Sequence, residues 1–153
     1  VEVICTPGIS ALQAAAARAG APLGHEFCAI SLSDLLTPRA DIVRRLHAAA
    51  ECDFVIAFYN PVSRRRRTLL AEARDILLAH RPPDTPVLLA TSLGRPEEVL
   101  RFRRLDALEV EEVDMLTIVL VGSSNTRLTR TGDGTRMFTP RGYARKMAGG
   151  DLA

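Results

Sequence analysis

A single α/β domain, with a mixed but mostly parallel sheet flanked by helices, is the fold that three features of the sequence predict. Short apolar runs bounded by turn formers alternate with helical patterns long enough to serve as crossover connections. Those runs are rich in β-branched residues and nearly continuous in their apolarity, as in strands covered on both faces. At 153 residues, 47% hydrophobic and 25% charged, the chain can bury one core and is too short for two ordinary domains.

Four runs read as inner strands: VEVIC (1–5), DFVIAFY (53–59), PVLLAT (86–91) and MLTIVLVG (115–122). FCAIS (27–31) is a weaker fifth. ISALQAAAARAG reads as a helix stopped by Gly20, a plausible C′ glycine. TPRADIVRRLHAAAE reads as a helix with Thr37 as N-cap and Pro38 at the first helical position. SRRRRTLLAEARDILLAHRPP reads as a third, beginning at Ser63 and ending before Pro82. Its Leu69, Leu70, Ala73, Ile76, Leu77 and His80 share one face. RPEEVLRFRRLDALEVEEV fits either an edge strand or a helix. The polar, Gly- and Pro-punctuated tail reads as an irregular extension, which places a domain over residues 1–125 and the extension over 126–153. The chain opens without Met on a strand-like run, as a piece of a longer polypeptide does.

Several function classes are disfavoured. The net charge of +2 announces no nucleic-acid partner, and the chain has no Trp and few other aromatics. No apolar run approaches the roughly 20 residues that cross a bilayer, so a cytoplasmic protein is the expectation. The three cysteines and three histidines are scattered without CxxC spacing, so neither a disulfide framework nor a metal site is expected. There is no GxGxxG, GxxxxGK[ST] or GxSxG. The acid pairs Glu97–Glu98 and Glu111–Glu112 read as solvated faces. No residue is assigned as a catalytic acid or base.

Ligands of open parallel sheets bind beyond the carboxyl ends of the strands. The exits here read TPGIS, YNPVS, TSLG and VGSSNT, all with residues that let backbone approach a ligand closely. Strand-to-helix turns use the same residues for structural reasons alone. The second exit runs into Arg64, Arg65, Arg66 and Arg67. If Ser63 caps the helix, these four cations fill a first turn whose dipole is already positive, at a few tenths to about 1 kcal/mol each. No acid lies three or four residues on to offset them. Either acids elsewhere in the fold pair with them or an anionic ligand does.

VEVICTPGISALQAAAARAGAPLGHEF resembles the opening of the second half of the tetrapyrrole methylases. SLSDLLTP, DFVIAFYNPVSRRR, LGRPEE, VDMLTIVLVGSS and MFTPRGY are similar, within that family, to the branch that methylates precorrin-3B at ring carbon 17. The resemblance implies S-adenosylmethionine as cofactor, S-adenosylhomocysteine as its product, and methyl transfer coupled to ring contraction to precorrin-4 in cobalamin biosynthesis. It also implies two α/β domains with the cofactor between them, in a homodimer. The family's N-terminal domain, with its Gly-rich strand exit and GDP-type loop, is absent from this sequence, so the chain alone is expected to be inactive. By motif position, Ser10 and Ala11 match the cofactor-contacting pair, and Asn60 matches a contact to the methionine or ribose part. Gly94 matches a backbone contact near the adenosine, and Thr117 is a candidate beside the adenine. Arg64 to Arg67 are candidates for the substrate's acetate and propionate carboxylates. The cobalt-factor III counterpart and a sister precorrin methylase fit the same signature. A non-catalytic α/β binding or dimerisation module remains the reading from another class.

Overall fold

The computed structural model describes residues 1–142. A five-stranded sheet forms the centre, in the order β2 (Phe27–Ser31), β3 (Val55–Tyr59), β6 (Thr117–Val121), β4 (Pro86–Thr91), β5 (Val99–Arg104). A three-stranded sheet pairs β1 (Gly20–Ala21), β8 (Gly134–Phe138) and β7 (Arg127–Thr131). The helices are α1 (Ala11–Ala19), α2 (Arg39–Glu51) and α3 (Thr68–Leu78), and two short 3₁₀ turns cover Leu105–Ala107 and Val110–Glu112.

The inner strands are apolar on both sides because both faces are covered. Ile56 and Phe58, Val87 and Leu89, and Val119 and Val121 enter one core with Ile42 and Leu46 of α2 and Leu70 and Leu77 of α3. Their alternates Val55 and Ala57, Leu88 and Ala90, and Ile118 and Leu120 enter a second core with Leu12, Ala15 and Ala19 of α1 and Met137 of β8. Period-two alternation in a run with no polar position therefore feeds two cores.

The mixed α/β architecture matches the expectation, but most of the expected parallel ladders do not form. Only β2 and β3 pair in parallel in the main sheet; β3–β6, β6–β4 and β4–β5 are antiparallel. β2, β3 and β4 still run in one direction, with β6 inserted against them. Sequence alternation carries no information about that insertion.

Further expectations are corrected, and one open reading is resolved. Residues 1–5 form no strand: Val3 is 87% and Ile4 76% exposed, and no described strand pairs with this segment. A strand exists only as part of a ladder. The ambiguous stretch after Gly94 is the edge strand β5, followed by the two 3₁₀ turns. The tail is not irregular throughout, because β7 and β8 form an antiparallel hairpin around Gly132 and Asp133. Met137 of that hairpin is fully buried, so a boundary at residue 125 cuts through a shared core; residues 143–153 of the expected extension lie outside the described residues. Gly20 does end α1, but at φ 133° within β1 rather than in the αL conformation of a C′ glycine. A Cβ there meets the Met137 carbonyl oxygen at 2.7 Å, so glycine is needed for the approach of β8.

The arginine-rich segment is corrected as well. α3 begins at Thr68 with Arg67 as its N-cap, so Arg64 to Arg67 are not its first turn. Pro61 and Val62 are buried, and Ser63 and Arg66 close a turn by reciprocal backbone bonds of 2.8 and 3.3 Å. Arg66 lies 3.6 Å from Asp34, and Arg67 donates to the Val110 carbonyl at 3.1 Å. α2 likewise starts one residue late, with Pro38 as the N-cap rather than at the first helical position.

Candidate functional site

Because β3 and β4 run together and β6 runs against them, the end of β3, the end of β4 and the start of β6 meet at one edge of the sheet. A cleft of about 230 Å³ lies there, lined by Ala11, Tyr59, Asn60, Ser92, Leu93, Arg95, Met115, Leu116, Thr117 and Ile118. The antiparallel setting of β6 also removes one expected exit. VGSSNT opens at the opposite edge, where Ser124 donates through its backbone N–H (2.8 Å) and hydroxyl (2.6 Å) to Asp53, just before β3. A wider depression of about 710 Å³, bordered by Gly24, Phe27 and Phe54, also lies at that far edge and contains none of the candidate residues.

The cleft walls are held by identifiable bonds. Tyr59 ends β3, and its phenol oxygen accepts the Leu12 N–H at 2.9 Å, pinning the first turn of α1 beside the sheet. Ser10 is the N-cap, its N–H bonded to Gln13 Oε1 at 3.1 Å, and it sits just outside the lining with Ala11 inside it. Asn60 follows Tyr59 at φ 49°, and its side-chain amide donates to Ser31 Oγ at 3.1 Å. Ser92 follows β4 at φ 54°, and its N–H reaches the Leu116 carbonyl at 3.1 Å. Two non-glycine residues in the left-handed region, at adjacent strand exits, mark backbone that the surroundings hold against its own preference.

Three expectations change in detail. Thr117 lines the cleft but is 4% exposed, and its hydroxyl is engaged with Asp114 (2.6 Å) and Thr91 (2.8 Å). It braces the β6 start rather than offering a free polar atom. Gly94, at φ 74°, lies between the lining residues Leu93 and Arg95, but its N–H is already bonded to Glu98 at 2.7 Å. What Gly94 leaves open is space, since an added Cβ meets nothing within 4 Å. Glu98 and Glu112 are not simply solvated: Glu98 pairs with Arg18 and Glu112 with Arg103.

Only part of the arginine run faces the site. Arg64 and Arg67, with Val62, Ser63, Asp114, Met115 and Leu116, border a second groove of about 280 Å³ that shares Met115 and Leu116 with the first. Arg65 is exposed outside both linings, and Arg66 is turned to Asp34. Met115 and Leu116 are 69% and 52% exposed, an apolar ridge between two grooves. Sequence reasoning missed Tyr59, Ser92, Arg95, Met115 and Leu116. Ser92 lies within the TSLG motif and Arg95 follows it, whereas nothing local distinguishes Met115 and Leu116 from the strand they precede. Among the described residues, no three potential metal ligands gather, and no helix is long and apolar enough to cross a membrane.

Comparison with known proteins gives this edge a context. Residues 1–109 match the family described as tetrapyrrole (corrin/porphyrin) methylases. The precorrin-3B C(17)-methyltransferase of Sinorhizobium sp. is 48% identical over 145 residues, covering 94% of this chain and 57% of that protein. A probable cobalt-factor III C(17)-methyltransferase of Salmonella typhimurium is 50% identical over 143 residues, covering 94% and 58%. The chain thus spans little more than half the length of these relatives, and matches their C-terminal part. The crystal structure of the methyltransferase CobJ superposes with a TM-score of 0.80 at 44% identity, covering 88% of this chain and 54% of that one. The uroporphyrin-III C-methyl transferase of Thermus thermophilus, solved in complex with S-adenosylhomocysteine, superposes with a TM-score of 0.52 at 26% identity, covering 76% and 51%. By the family match and the CobJ superposition together, the chain belongs to the tetrapyrrole methylases.

Proposed function

We propose that the chain is the C-terminal domain of a methyltransferase that uses S-adenosylmethionine to methylate precorrin-3B at ring carbon 17, with ring contraction to precorrin-4, in cobalamin biosynthesis. The near-half identity to C(17)-methyltransferases over almost the whole chain carries this reading. The cofactor is assigned to the cleft at Ala11 and Asn60, with Ser10, Gly94 and Thr117 around it. The residues fit such a group: the cleft joins an apolar floor of Leu93, Met115 and Ile118 to the polar Asn60, Ser92 and Arg95. Its volume is below the roughly 300 Å³ of ordinary small-molecule sites, as half a site is. A homodimer in the cytoplasm, with the upstream domain closing the cleft, completes the proposal.

A methyl sulfonium supplies an electrophile that needs no further activation. The protein's task is then to align the substrate carbon and exclude water. Ala11 keeps the cleft open beside the sheet, while Asn60 and Ser92 turn the chain away so that backbone borders the ligand. The Met115–Leu116 ridge offers an apolar seat between the cofactor cleft and the second groove, with Arg64 at the rim to receive substrate carboxylates. In the enzyme extended by the upstream segment of its relatives, Arg64→Gln should raise the KM for precorrin-3B about fivefold with little change in kcat, as one exposed charge contact is worth about 1 kcal/mol. Arg65→Gln should change it less. Unaltered steady-state kinetics in both variants would remove the arginines from the substrate site.

Calorimetric titration of S-adenosylhomocysteine into the chain, and into the extended form, tests the cofactor assignment. Micromolar binding by the extended form supports it, and binding by that form alone assigns this domain half the site. A folded extended protein that binds nothing leaves the binding or dimerisation module as the better reading. The Salmonella relative supports cobalt-factor III as the alternative substrate, and parallel turnover assays with the metal-free and cobalt-bearing macrocycles separate the two.

A further inference from the structure

We infer that Glu98 is a positioning residue of the cofactor cleft, clamping the turn after β4 to α1. The inference rests on the cofactor reading above but names a residue outside the cleft lining. Both carboxylate oxygens of Glu98 are engaged: Oε2 accepts the Gly94 N–H at 2.7 Å, and Oε1 lies 2.9 Å from Arg18 Nε in an ion pair. The side chain is only 19% exposed, against 60% for Arg18. Arg18 lies in the last turn of α1, whose first residue, Ala11, borders the cleft. One side chain therefore ties the helix on one side of the cleft to the strand exit on the other.

The turn needs such a tie. Ser92 and Gly94 both have positive φ, 54° and 74°, two left-handed residues within three positions. Backbone bonds from Arg95 N–H to Ser92 O and from Glu98 N–H to Arg95 O, each 3.0 Å, close the turn but leave the Gly94 N–H to the Glu98 carboxylate. A charge-assisted bond to a carboxylate is stronger than a neutral one. It holds Gly94 so that its neighbours Leu93 and Arg95 border the cleft. The arrangement also explains why the Gly94 N–H is not free for a ligand: it positions the turn.

Two readouts test this. In the ligand-free chain, amide hydrogen exchange at Gly94 should accelerate at least tenfold in Glu98→Ala and much less in Glu98→Gln, with β4 amides unchanged. In whichever form binds S-adenosylhomocysteine, Glu98→Ala should weaken binding about five- to tenfold, Arg18→Gln about twofold, and Glu98→Gln should restore most of the affinity. A Gly94 amide indifferent to Glu98→Ala overturns the clamp. Faster exchange with unchanged affinity overturns its positioning role. If neither form binds the ligand, the cofactor reading fails and takes the positioning role with it, and the ligand-free exchange data distinguish that failure from loss of the clamp.

Discussion

Replacing Arg81 by Leu is expected to lower the unfolding free energy by about 3 kcal/mol, the cost of removing one partner from a buried charge network. Arg81 follows α3 and is 4% exposed. Its guanidinium donates to the Gly122 carbonyl at the end of β6 and to the Ala49 carbonyl in the last turn of α2, the latter at 3.2 Å. Its Nε lies 3.8 Å from Asp53 Oδ1. Burial pulls the guanidinium pKa below its ordinary value, and the Asp53 carboxylate pushes back. Leu replaces much of the stem volume, so the loss reports the Gly122 carbonyl stripped of its guanidinium donor, the Ala49 carbonyl left with the Phe54 N–H alone, and an acid without its cation, rather than a cavity. At roughly 2–4 °C per kcal/mol for a chain of this size, the melting temperature should fall by about 6–12 °C. Asp53 is held at φ 54° and also accepts both Ser124 donors, so Asp53→Asn should cost less, about 1 kcal/mol. A melting temperature for Arg81→Leu within 2 °C of the parent would show that water satisfies these carbonyls and that the network is dispensable.

Filling the cleft should have the largest functional effect. Ala11 is the first residue of α1 and faces the cleft, so Ala11→Trp projects an indole into about 230 Å³ of space. A first-turn position tolerates this substitution, and unfolding should change by less than about 1 kcal/mol. Affinity for S-adenosylhomocysteine in the extended form should fall at least a hundredfold, because the indole and the ligand compete for one volume. Full binding by a folded Ala11→Trp protein would exclude this cleft as the cofactor site, wherever else the ligand is held.

The legible parts of this molecule were those set by local physics. Pro86–Thr91 reads as a strand because an unbroken apolar run between turn formers has no other stable place than between two layers, and its bounds are those observed. The end of α1 at Gly20 and the buried stripe Leu69, Leu70, Ala73 and Leu77 follow from glycine and helical periodicity. His80 left that stripe because the helix ends at Leu78. The hairpin of β7 and β8 carried a legible sign, Gly-Asp-Gly between alternating Thr and Arg, that composition alone obscured.

The site divides along the same line. Asn60, Gly94 and Ala11 were named as candidates by motif position, and the fold brings Asn60 and Ala11 to one cleft with Gly94 beside its lining. The sequence left open whether remote acids or an anionic ligand answer the arginines; Asp34 pairs with Arg66, and a local count of acids cannot name it. Met115 and Leu116 were missed because only the reversal of β6 brings its first residues, rather than its last, to the edge where β3 and β4 end. Strand direction is chosen by which neighbour completes the ladders and covers both faces, a tertiary energy with no local signature. Local patterning is enough to specify the layers, the apolar stripes, the turn-forming exits and the family. Only tertiary packing settles which exits share an edge, which arginines border a groove, and which carboxylate bonds the turn after β4.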